Sequence, residues 1–413
     1  MTITTPLTQL PLPQLFYGPG SFSQWAKVQE TELLLHHNQL RNQNKSPGLL
    51  LVHGGGGLTR FPGVADWVEN QETQGWEVFA REITTEPVDT LLDHWLLELR
   101  GRVHRVIGIG GGSVMDAAKV MAALLPVEGS TRSYLEGVGV KPAPPSRLPL
   151  DLMPTTGGTG SEATSNGVVS GVTPDGEPFK KSLRHPSYVP DSAVLDPQFM
   201  VGVPPQVTAA SGMDALSQLL ESHFSTKATP ITRIWTGWGL EQLAQGLERA
   251  VVHGSDTQAR LAMALGAFAS GIGLSNAGLG LVHGIVGTLG SITEVPHGLG
   301  CARLLGPCFS RIFRAMDQAH HPDLPEVYRV AQMFLSSLSQ NHSPENSQEH
   351  NPQGLMDQWI QYLQTLSQRL QLPDLTEYGY THDMIPYLIE KAQFRTSPIV
   401  LGYEELKAIF SEI

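Results

Sequence analysis

The sequence predicts two domains: an N-terminal α/β domain built on a mostly parallel sheet, residues 1–200, and an all-α C-terminal domain, residues 201–413. Its length of 413 residues exceeds that of a typical single domain. Apolar runs typical of buried strands alternate with helix-forming runs in the first half. Two of those strands end in runs of glycine. Strand patterns fade after Pro204, where helical periodicity dominates.

The elements of the first domain follow in that alternating order. Pro62 suits the first turn of the first predicted helix. The strands are predicted at 49–53, 76–82, 105–109, 148–153 and 188–195, and the helices at 61–74, at 87–100 and directly after the glycines at 110–112. Helices between successive strands favour parallel crossover connections and a twisted, largely parallel sheet.

The glycine runs indicate an anionic ligand. Glycine lets the backbone approach a charged group closely, and the first N–H groups of the following helix point towards that group. The common pattern of three spaced glycines is not complete, because Ser113 holds the last position. Two strand–glycine–helix units fit the turns that line a dinucleotide in a doubly wound sheet. The residues of these two turns are Gly54, Gly55, Gly56 and Gly57, and Gly110, Gly111, Gly112 and Ser113.

The second domain is predicted from helical periodicity alone. A polar stretch at 339–353 is predicted to be an exposed loop. The predicted helices are 205–223, 229–252, 256–276, 281–289, 297–316, 325–338, 352–370 and 381–393.

Composition excludes several classes of partner. A net charge of -12 argues against nucleic acid and anionic membrane surfaces. Since no stretch of about 20 apolar residues occurs, no membrane span is expected. Cys301 and Cys308 are seven residues apart on a predicted helix, roughly 10 Å, too far for a disulfide. Few cysteines and the lack of a charged-then-apolar start predict a cytoplasmic protein.

Two polar segments stand out among apolar neighbours. The segment 154–162 places hydroxyls among glycines after a strand, which suits phosphate and ribose oxygens, although such a segment taken alone is more often a surface loop. On the helix predicted at 205–223, Asp214 and Gln218 are four residues apart and project from one face. A carboxylate in such an apolar helix is costly to bury without a partner or a metal.

Two histidines complete a candidate metal site. His283 and His297 each lie beside glycine in an apolar region with little charge. A single histidine there is more often a hydrogen-bonded core residue. Together with Asp214 they form a set able to bind a divalent cation, which acts as a Lewis acid on an alcohol or carbonyl oxygen.

Four motifs in this order resemble those of the iron-containing (group III) alcohol dehydrogenases: 110–119, 154–162, 212–216 and 296–298. The resemblance covers roughly residues 14–310, including the early segment 16–20 and the segment 195–197. It implies a dinucleotide-binding α/β domain followed by a helical domain, the architecture that dehydroquinate synthase relatives share. It also implies homo-oligomers, since dimers or larger assemblies are common in this family.

The resemblance assigns roles residue by residue. The family's metal aspartate falls on Asp214 and two of its metal histidines on His283 and His297, so these three residues are expected to carry the chemistry. Its phosphate-binding loop falls on the glycines at 110–112 and Ser113. The remaining positions that it implies for cofactor contact are Asp116, Thr155, Thr156, Thr159 and Lys180.

The chain departs from the family at two positions. Gln218 stands where the family has a second metal histidine, so the site either binds through the amide oxygen or is degraded. Iron(II) is the first expectation for the metal, with zinc and manganese as alternatives. Gly287 stands where many members have a histidine beside the nicotinamide, which leaves a water, His223 or His53 as substitutes in a proton relay.

The first glycine loop also bears on the choice of cofactor. Members that prefer NAD often carry an aspartate where this chain has Gly54, and that carboxylate would repel a 2′-phosphate. Members with glycines there typically use NADP(H), and Arg60 offers a positive charge for the extra phosphate. NADP(H) is therefore expected as the preferred cofactor, with NAD(H) as the alternative.

The sequence thus predicts a metal-dependent, NAD(P)-linked alcohol dehydrogenase or aldehyde reductase that acts on a small alcohol or aldehyde. The hydride chemistry belongs to the nicotinamide. Two alternatives stay open: a lyase of the dehydroquinate-synthase type, and a non-catalytic dinucleotide-binding protein whose metal site has decayed.

Overall fold

A computed structural model describes residues 11–173, 175–339 and 352–413. The chain divides into two compact units, of which one comprises the residues up to Pro154 together with Ser161–Phe199. The other comprises Thr155–Gly160 and Met200–Ile413. The predicted boundary after residue 200 lies next to this division, but the sequence had placed residues 155–160 in the first domain. Most of the predicted loop at 339–353 lies outside the described residues.

The first unit contains a six-stranded parallel sheet, as the sequence predicted. The strands are β1 (Gln14–Tyr17), β2 (Gly48–His53), β3 (Glu77–Glu82), β4 (Arg105–Gly110), β5 (Leu150–Pro154) and β8 (Ser192–Leu195). Their spatial order is β1-β8-β5-β4-β2-β3, so the chain adds β3 on one side of the adjacent pair β2 and β4, and β5 and then β8 on the other side.

Both faces of the sheet are buried. Leu50 and Val52 of β2 point into one apolar cluster, while Leu49 and Leu51 point into another. Because side chains alternate along a strand, this continuous apolar run is the signature of a strand covered on both sides. The covering helices are α1 (Ser21–Asn42), α2 (Val64–Thr73), α3 (Asp89–Leu99) and α4 (Gly112–Leu124).

Some first-unit elements differ in extent from their predictions. The helix predicted from residue 61 begins at Val64, because Gly63 adopts a left-handed conformation (φ 79°) and separates it from a short turn at Leu58–Arg60. The strand predicted from residue 188 begins at Ser192, since Pro190 cannot donate to a ladder. An antiparallel hairpin, β6 (Asn166–Val172) with β7 (Pro178–Arg184), was not predicted.

The second unit is helical, as predicted. Thr229 caps α6 with its side chain and Asp256 caps α7, which are the residue types that favour helix starts. The helices are α5 (Pro205–His223), α6 (Pro230–Val252), α7 (Thr257–Ala277), α8 (Leu281–Ile292), α9 (His297–Gln318), α10 (Leu324–Ser339), α11 (Pro352–Arg369), α12 (Ile385–Lys391) and α13 (Tyr403–Ser411).

The glycines at 157–160 serve helix packing within this unit. A Cβ on Gly157 would lie 2.9 Å from the Cβ of Met263 in α7, and one on Gly158 would lie 2.8 Å from that of Ser211 in α5. Gly160 has φ +61°, and its Cβ would lie 2.3 Å from the carbonyl oxygen of Ala267. The surface-loop interpretation of this segment is wrong, because most of it is buried against two helices.

Among the described helices, none is by itself both long and apolar enough to cross a membrane. Helices α7 and α8 meet such a criterion only when taken together, and they are bent by 98° relative to each other.

Candidate functional site

Helix α5 carries three buried polar residues on one face. Asp214, Gln218 and Glu221 are separated by four and three residues, the spacing that stacks side chains along a helix. Their exposed fractions are 3%, 4% and 3%. Because a buried carboxylate is unfavourable without compensation, the groups around these side chains determine what the site can do.

His283 connects both carboxylates of this face. It is the third residue of α8, and its Nε2 lies 3.2 Å from Oδ1 of Asp214. Its Nδ1 lies 2.6 Å from Oε2 of Glu221, while the backbone N–H of Val282 donates to Oε1 of Glu221 at 2.6 Å. Glu221 therefore fixes the orientation of the imidazole and directs Nε2 towards Asp214.

Helix α9 contributes two further donors. His297 is its first residue, with Nε2 3.7 Å from Oδ1 of Asp214. Cys301 follows one turn later, so its side chain points the same way, and its Sγ lies 3.5 Å from the same oxygen. The side chain of His297 is 43% exposed, whereas Cys301 is fully buried. Water therefore reaches the cluster at the His297 side.

One carboxylate oxygen, two imidazole nitrogens and one sulfur converge here. The donor atoms of Asp214, His283, His297 and Cys301 all lie within 4.8 Å of one another. Such mixed donors suit a divalent transition metal, so the residues present fit the metal that the sequence predicted. The structure brings Asp214, His283 and His297 together as the motifs indicated.

Gln218 lies beside this cluster and hydrogen-bonds to it. Its Nε2 donates to Oδ1 of Asp214 at 3.1 Å, and its Oε1 accepts from the hydroxyl of Ser270 at 2.9 Å. In this orientation the amide oxygen faces away from Asp214. Ser270 also lies 2.7 Å from the carbonyl oxygen of Ala267, so its single hydroxyl hydrogen is shared between two acceptors.

The electrostatics of the cluster stabilise a negative Asp214. Burial would raise the pKa of this carboxyl, but the hydrogen bond from His283 and the charge of His297 lower it to about 2. Burial would lower the pKa of His283, but Cys301 and the Glu221 carboxylate beside it raise that pKa well above its ordinary value. Burial raises the pKa of the Cys301 thiol to about 12.

Glu221 and Cys301 were missed as site residues by the sequence analysis. Glu221 completes an i, i+4, i+7 series of polar residues with Asp214 and Gln218 on an otherwise apolar helix, and that spacing was a readable signal. Cys301 lies four residues after His297, the same one-turn spacing. Its chemistry was overlooked because the two cysteines were considered only as a disulfide pair.

The suggested relay histidines lie in other environments. His223 is fully buried, with Nδ1 2.8 Å from Thr236 and Nε2 2.6 Å from Glu326. Both ring nitrogens are thus engaged. His53 ends β2, and its Nδ1 lies 2.9 Å from the carbonyl oxygen of Gly54. A side chain at Gly287 would be 4.0 Å from the guanidinium of Arg395.

The two glycine loops meet at one edge of the sheet. Strands β2 and β4 are adjacent and parallel, with His53 opposite Ile109, and the N–H of Gly54 donates to Ile109 at 3.1 Å. The strand order reverses between them, which is where doubly wound sheets bind nucleotides. The geometry of this edge therefore fits the dinucleotide that the sequence predicted.

The start of α4 presents backbone donors at this edge. The helix begins at Gly112 after Gly111, and none of the described side chains caps it. A Cβ at Gly110 would lie 2.4 Å from Val114, so glycine is required for the helix to start so close to the strand. The first N–H groups of the helix, including that of Ser113, have no partner within the helix and suit an anion.

The other predicted cofactor residues have these positions. Asp116 in α4 is half-buried and accepts from Ser161 at 2.8 Å; burial raises its pKa. Lys180 in β7 forms an ion pair with Glu86. In the second unit, Thr155 is buried, and Thr156 and Thr159 are half-buried. Contacts of these residues with a cofactor stay a prediction.

Two further ionisable side chains near Asp116, those of Lys119 and Glu162, are buried. Lys119 is fully buried and donates to Ser161, Thr164 and the carbonyl of Asn166 at 2.7–2.9 Å. Burial lowers the pKa of Lys119 to about 8. Glu162 is 1% exposed, and neither of its carboxylate oxygens has a hydrogen-bond partner among the described residues. Burial raises the pKa of Glu162 to about 7.

Glu162 should make the stability of the protein fall as the pH rises. Its folded-state pKa lies above the unfolded value of 4.5, so the folded state binds more protons between these pKa values. The penalty is absent below about pH 4.5 and complete above about pH 7, with a size of about 3 kcal/mol. We expect the free energy of unfolding in urea of Glu162→Gln to match that of the wild type at pH 5 and to exceed it at pH 8.

The matched control is Glu128→Gln, because the side chain of Glu128 is 90% exposed. That variant should track the wild type at both pH values. If Glu162→Gln shows the same difference from wild type at pH 5 and pH 8, the buried carboxyl is not the source of the pH dependence.

Comparison with known families matches most of the chain. Residues 29–197 match the family described as iron-containing alcohol dehydrogenase, and residues 208–412 match the C-terminal part of the Fe-containing alcohol dehydrogenase family. The chain belongs to the iron-containing alcohol dehydrogenase family. The predicted family and fold are therefore confirmed, and with them the oxidoreductase class of its relatives.

Individual relatives are similar over different lengths. A long-chain-alcohol dehydrogenase 1 of Geobacillus thermodenitrificans (strain NG80-2) is 37% identical over 57% of this chain, and the match spans only 58% of that relative. A choline dehydrogenase of Bacillus subtilis (strain 168) is 31% identical over 80% of this chain and 78% of its own length. The structure of a 1,3-propanediol oxidoreductase aligns with a TM-score of 0.78 at 25% identity, covering 98% of this chain and 100% of that one.

Proposed function

We propose that this protein interconverts a small alcohol and its aldehyde by hydride exchange with a nicotinamide dinucleotide, with the help of a divalent metal. The convergence of Asp214, His283 and His297 in a member of this family is the observation that carries the proposal. A bound divalent cation supplies a Lewis acid for an alcohol or carbonyl oxygen. Iron(II) is the first candidate, from the family alone, with zinc and manganese as the alternatives.

The residues of the chain have separable tasks in this proposal. Asp214 supplies the negative charge of the cluster, and its low pKa keeps it ionised at neutral pH. Glu221 orients His283 through Nδ1. The N–H groups at the start of α4 and the loop at 54–57 hold the phosphates of the dinucleotide, as the uncapped helix end and the strand reversal support.

The activity test is reduction of simple straight-chain aldehydes by the purified protein, followed as nicotinamide absorbance. We expect steady consumption of reduced cofactor that stops after chelation and returns on addition of iron(II), zinc or manganese. A lyase of the dehydroquinate-synthase type would consume no reduced cofactor. Binding of a dinucleotide without turnover of any aldehyde, whichever metal is added, would favour the non-catalytic alternative.

We propose NADP(H) as the preferred cofactor. Gly54 provides no carboxylate at the end of β2, and Nη1 of Arg60 donates to the carbonyl of Gly55 at 3.2 Å, which places the guanidinium at this loop. The carboxylate of Glu82 also lies near, 3.9 Å from where a Cβ of Gly55 would stand. The two side chains favour opposite cofactors, because a carboxylate holds ribose hydroxyls and repels a 2′-phosphate.

Paired variants of these two residues test the cofactor preference. A hydrogen bond to a charged group contributes about 1.5–3 kcal/mol, so we expect Arg60→Ala to raise the KM for NADPH about 10- to 100-fold and to leave that for NADH unchanged. Glu82→Gln is the companion variant and should lower the KM for NADPH, because it removes the carboxylate that opposes a 2′-phosphate. A wild-type preference for NADH that Glu82→Gln abolishes would overturn the proposal.

The cytoplasmic location and the homodimer remain predictions. Sedimentation of the purified chain would decide the oligomeric state.

A further inference from the structure

The thiol of Cys301 lies among the three donors that the family motifs assign. Its sulfur lies 3.5 Å from Oδ1 of Asp214, 3.7 Å from Nε2 of His283 and 3.8 Å from Nε2 of His297. It is therefore about equally distant from the three donors that the family motifs supply. Gln218, which occupies the position of the family's remaining histidine, has its amide oxygen directed to Ser270 instead.

Five of the six donor separations are close to those of a tetrahedral donor set. Zinc bonds of about 2.3 Å to sulfur and about 2.0–2.1 Å to nitrogen or oxygen place tetrahedral donors about 3.6 Å apart where sulfur is involved and about 3.3 Å otherwise. The three distances from Cys301 are 3.5, 3.7 and 3.8 Å, and those from Asp214 to the two histidines are 3.2 and 3.7 Å. The sixth separation, between the nitrogens of the two histidines, is at most 4.8 Å.

The backbone fixes this sulfur in place. Cys301 lies one helical turn after His297, so both donors leave α9 in the same direction. The start of α9 packs tightly on α5, since a Cβ at Gly298 would lie 2.6 Å from the carbonyl oxygen of Ala210. Cys308 gives the contrast: it is two turns further along the same helix, equally buried, and outside the donor cluster.

We propose that Cys301 is a metal ligand in this chain, completing a set with Asp214, His283 and His297, while Gln218 acts as a hydrogen-bond partner of Asp214. This inference rests on the metal site of the proposed function and adds a specific chemistry to it. A thiolate is a softer donor than the imidazole that it replaces. The site then favours zinc or cobalt over iron(II) more strongly than a set of nitrogen and oxygen donors would.

Cobalt(II) alone is the first probe, because a cobalt–thiolate bond gives a charge-transfer absorption band in the near ultraviolet. We expect the band in the wild type and in Cys308→Ser, at one cobalt per chain. It should persist in Gln218→Ala and vanish in Cys301→Ser. Zinc competition against a chromogenic chelator should show binding at least about 100-fold weaker in Cys301→Ser and unchanged in Cys308→Ser.

A second measurement uses the wild type alone, so its result does not depend on whether Cys301→Ser folds. X-ray absorption at the zinc edge of the zinc-loaded wild type should show one sulfur neighbour at about 2.3 Å. One bound metal with only nitrogen and oxygen neighbours would overturn the role of Cys301 and leave the proposed function intact. No metal bound, together with aldehyde reduction that ignores chelators, would overturn both.

Discussion

Asparagine in place of Asp214 is expected to lower kcat/KM for aldehyde reduction by at least about 10³-fold, since a metal contributes several kcal/mol of charge stabilisation. Oδ1 of Asp214 is the atom that the site shares: it lies 3.2 Å from His283, 3.7 Å from His297 and 3.5 Å from Cys301. Asp214→Asn keeps the size of the side chain but removes the charge that balances a divalent cation.

The measurement combines steady-state kinetics with metal content after gel filtration. Asp357→Asn is a suitable control, because Asp357 is a half-exposed carboxylate on α11 whose nearest cation, Arg314, is 3.8 Å away. Far-ultraviolet circular dichroism would establish that both variants fold. An Asp214→Asn protein that keeps one metal per chain and loses less than tenfold of its kcat/KM would contradict the proposed site.

Glu221→Gln is expected to weaken metal binding about 10- to 100-fold, the usual cost of losing a carboxylate behind a ligating histidine. The carboxylate accepts from Nδ1 of His283 at 2.6 Å and so holds the tautomer whose Nε2 faces Asp214. It also accepts the N–H of Val282 at the start of α8, where negative charge is favourable. An uncharged amide does both more weakly.

Kinetics at saturating metal distinguish a role of Glu221 in positioning His283 from a general contribution to the stability of the fold. At saturating metal the kcat of Glu221→Gln should recover, and the KM for aldehyde should stay near the wild-type value. Glu326→Gln provides the matched control, because Glu326 makes a similar 2.6 Å contact to another buried histidine, His223. It should lower stability without changing metal affinity. Equal losses of metal affinity in both variants would show that Glu221 has no specific role.

The sequence predicted the helical unit well because its helices carry local start signals. Pro205, Thr229 and Asp256 mark the starts of α5, α6 and α7, and these helices begin within one residue of the predicted positions. Helix α1 was missed although its buried residues Phe22, Trp25, Gln29 and Leu33 repeat every three or four positions. Its many exposed polar and apolar side chains obscured that period.

Partnerships across long sequence separations were harder to predict. The motifs assigned Asp214, His283 and His297, and the structure brings them together. The one-turn spacing of Cys301 from His297 placed both on one face of α9, but it could not show that the thiol would lie 3.5 Å from Asp214. The β6–β7 hairpin was missed for a related reason, since one strand carries Lys180 and Lys181 and the buried face of the other has glycines on both sides of Val169. In both cases packing, and not the local pattern, decides.

The six residues Thr155–Gly160 group with the helical unit, although they lie between two segments of the sheet unit. Gly157, Gly158 and Gly160 have no room for a side chain against the helices that they touch. A fragment ended at Phe199 would therefore retain a loop shaped for helices that it no longer has. Any chimera that exchanges residues 200–413 for those of a relative would have to exchange this hexapeptide with them.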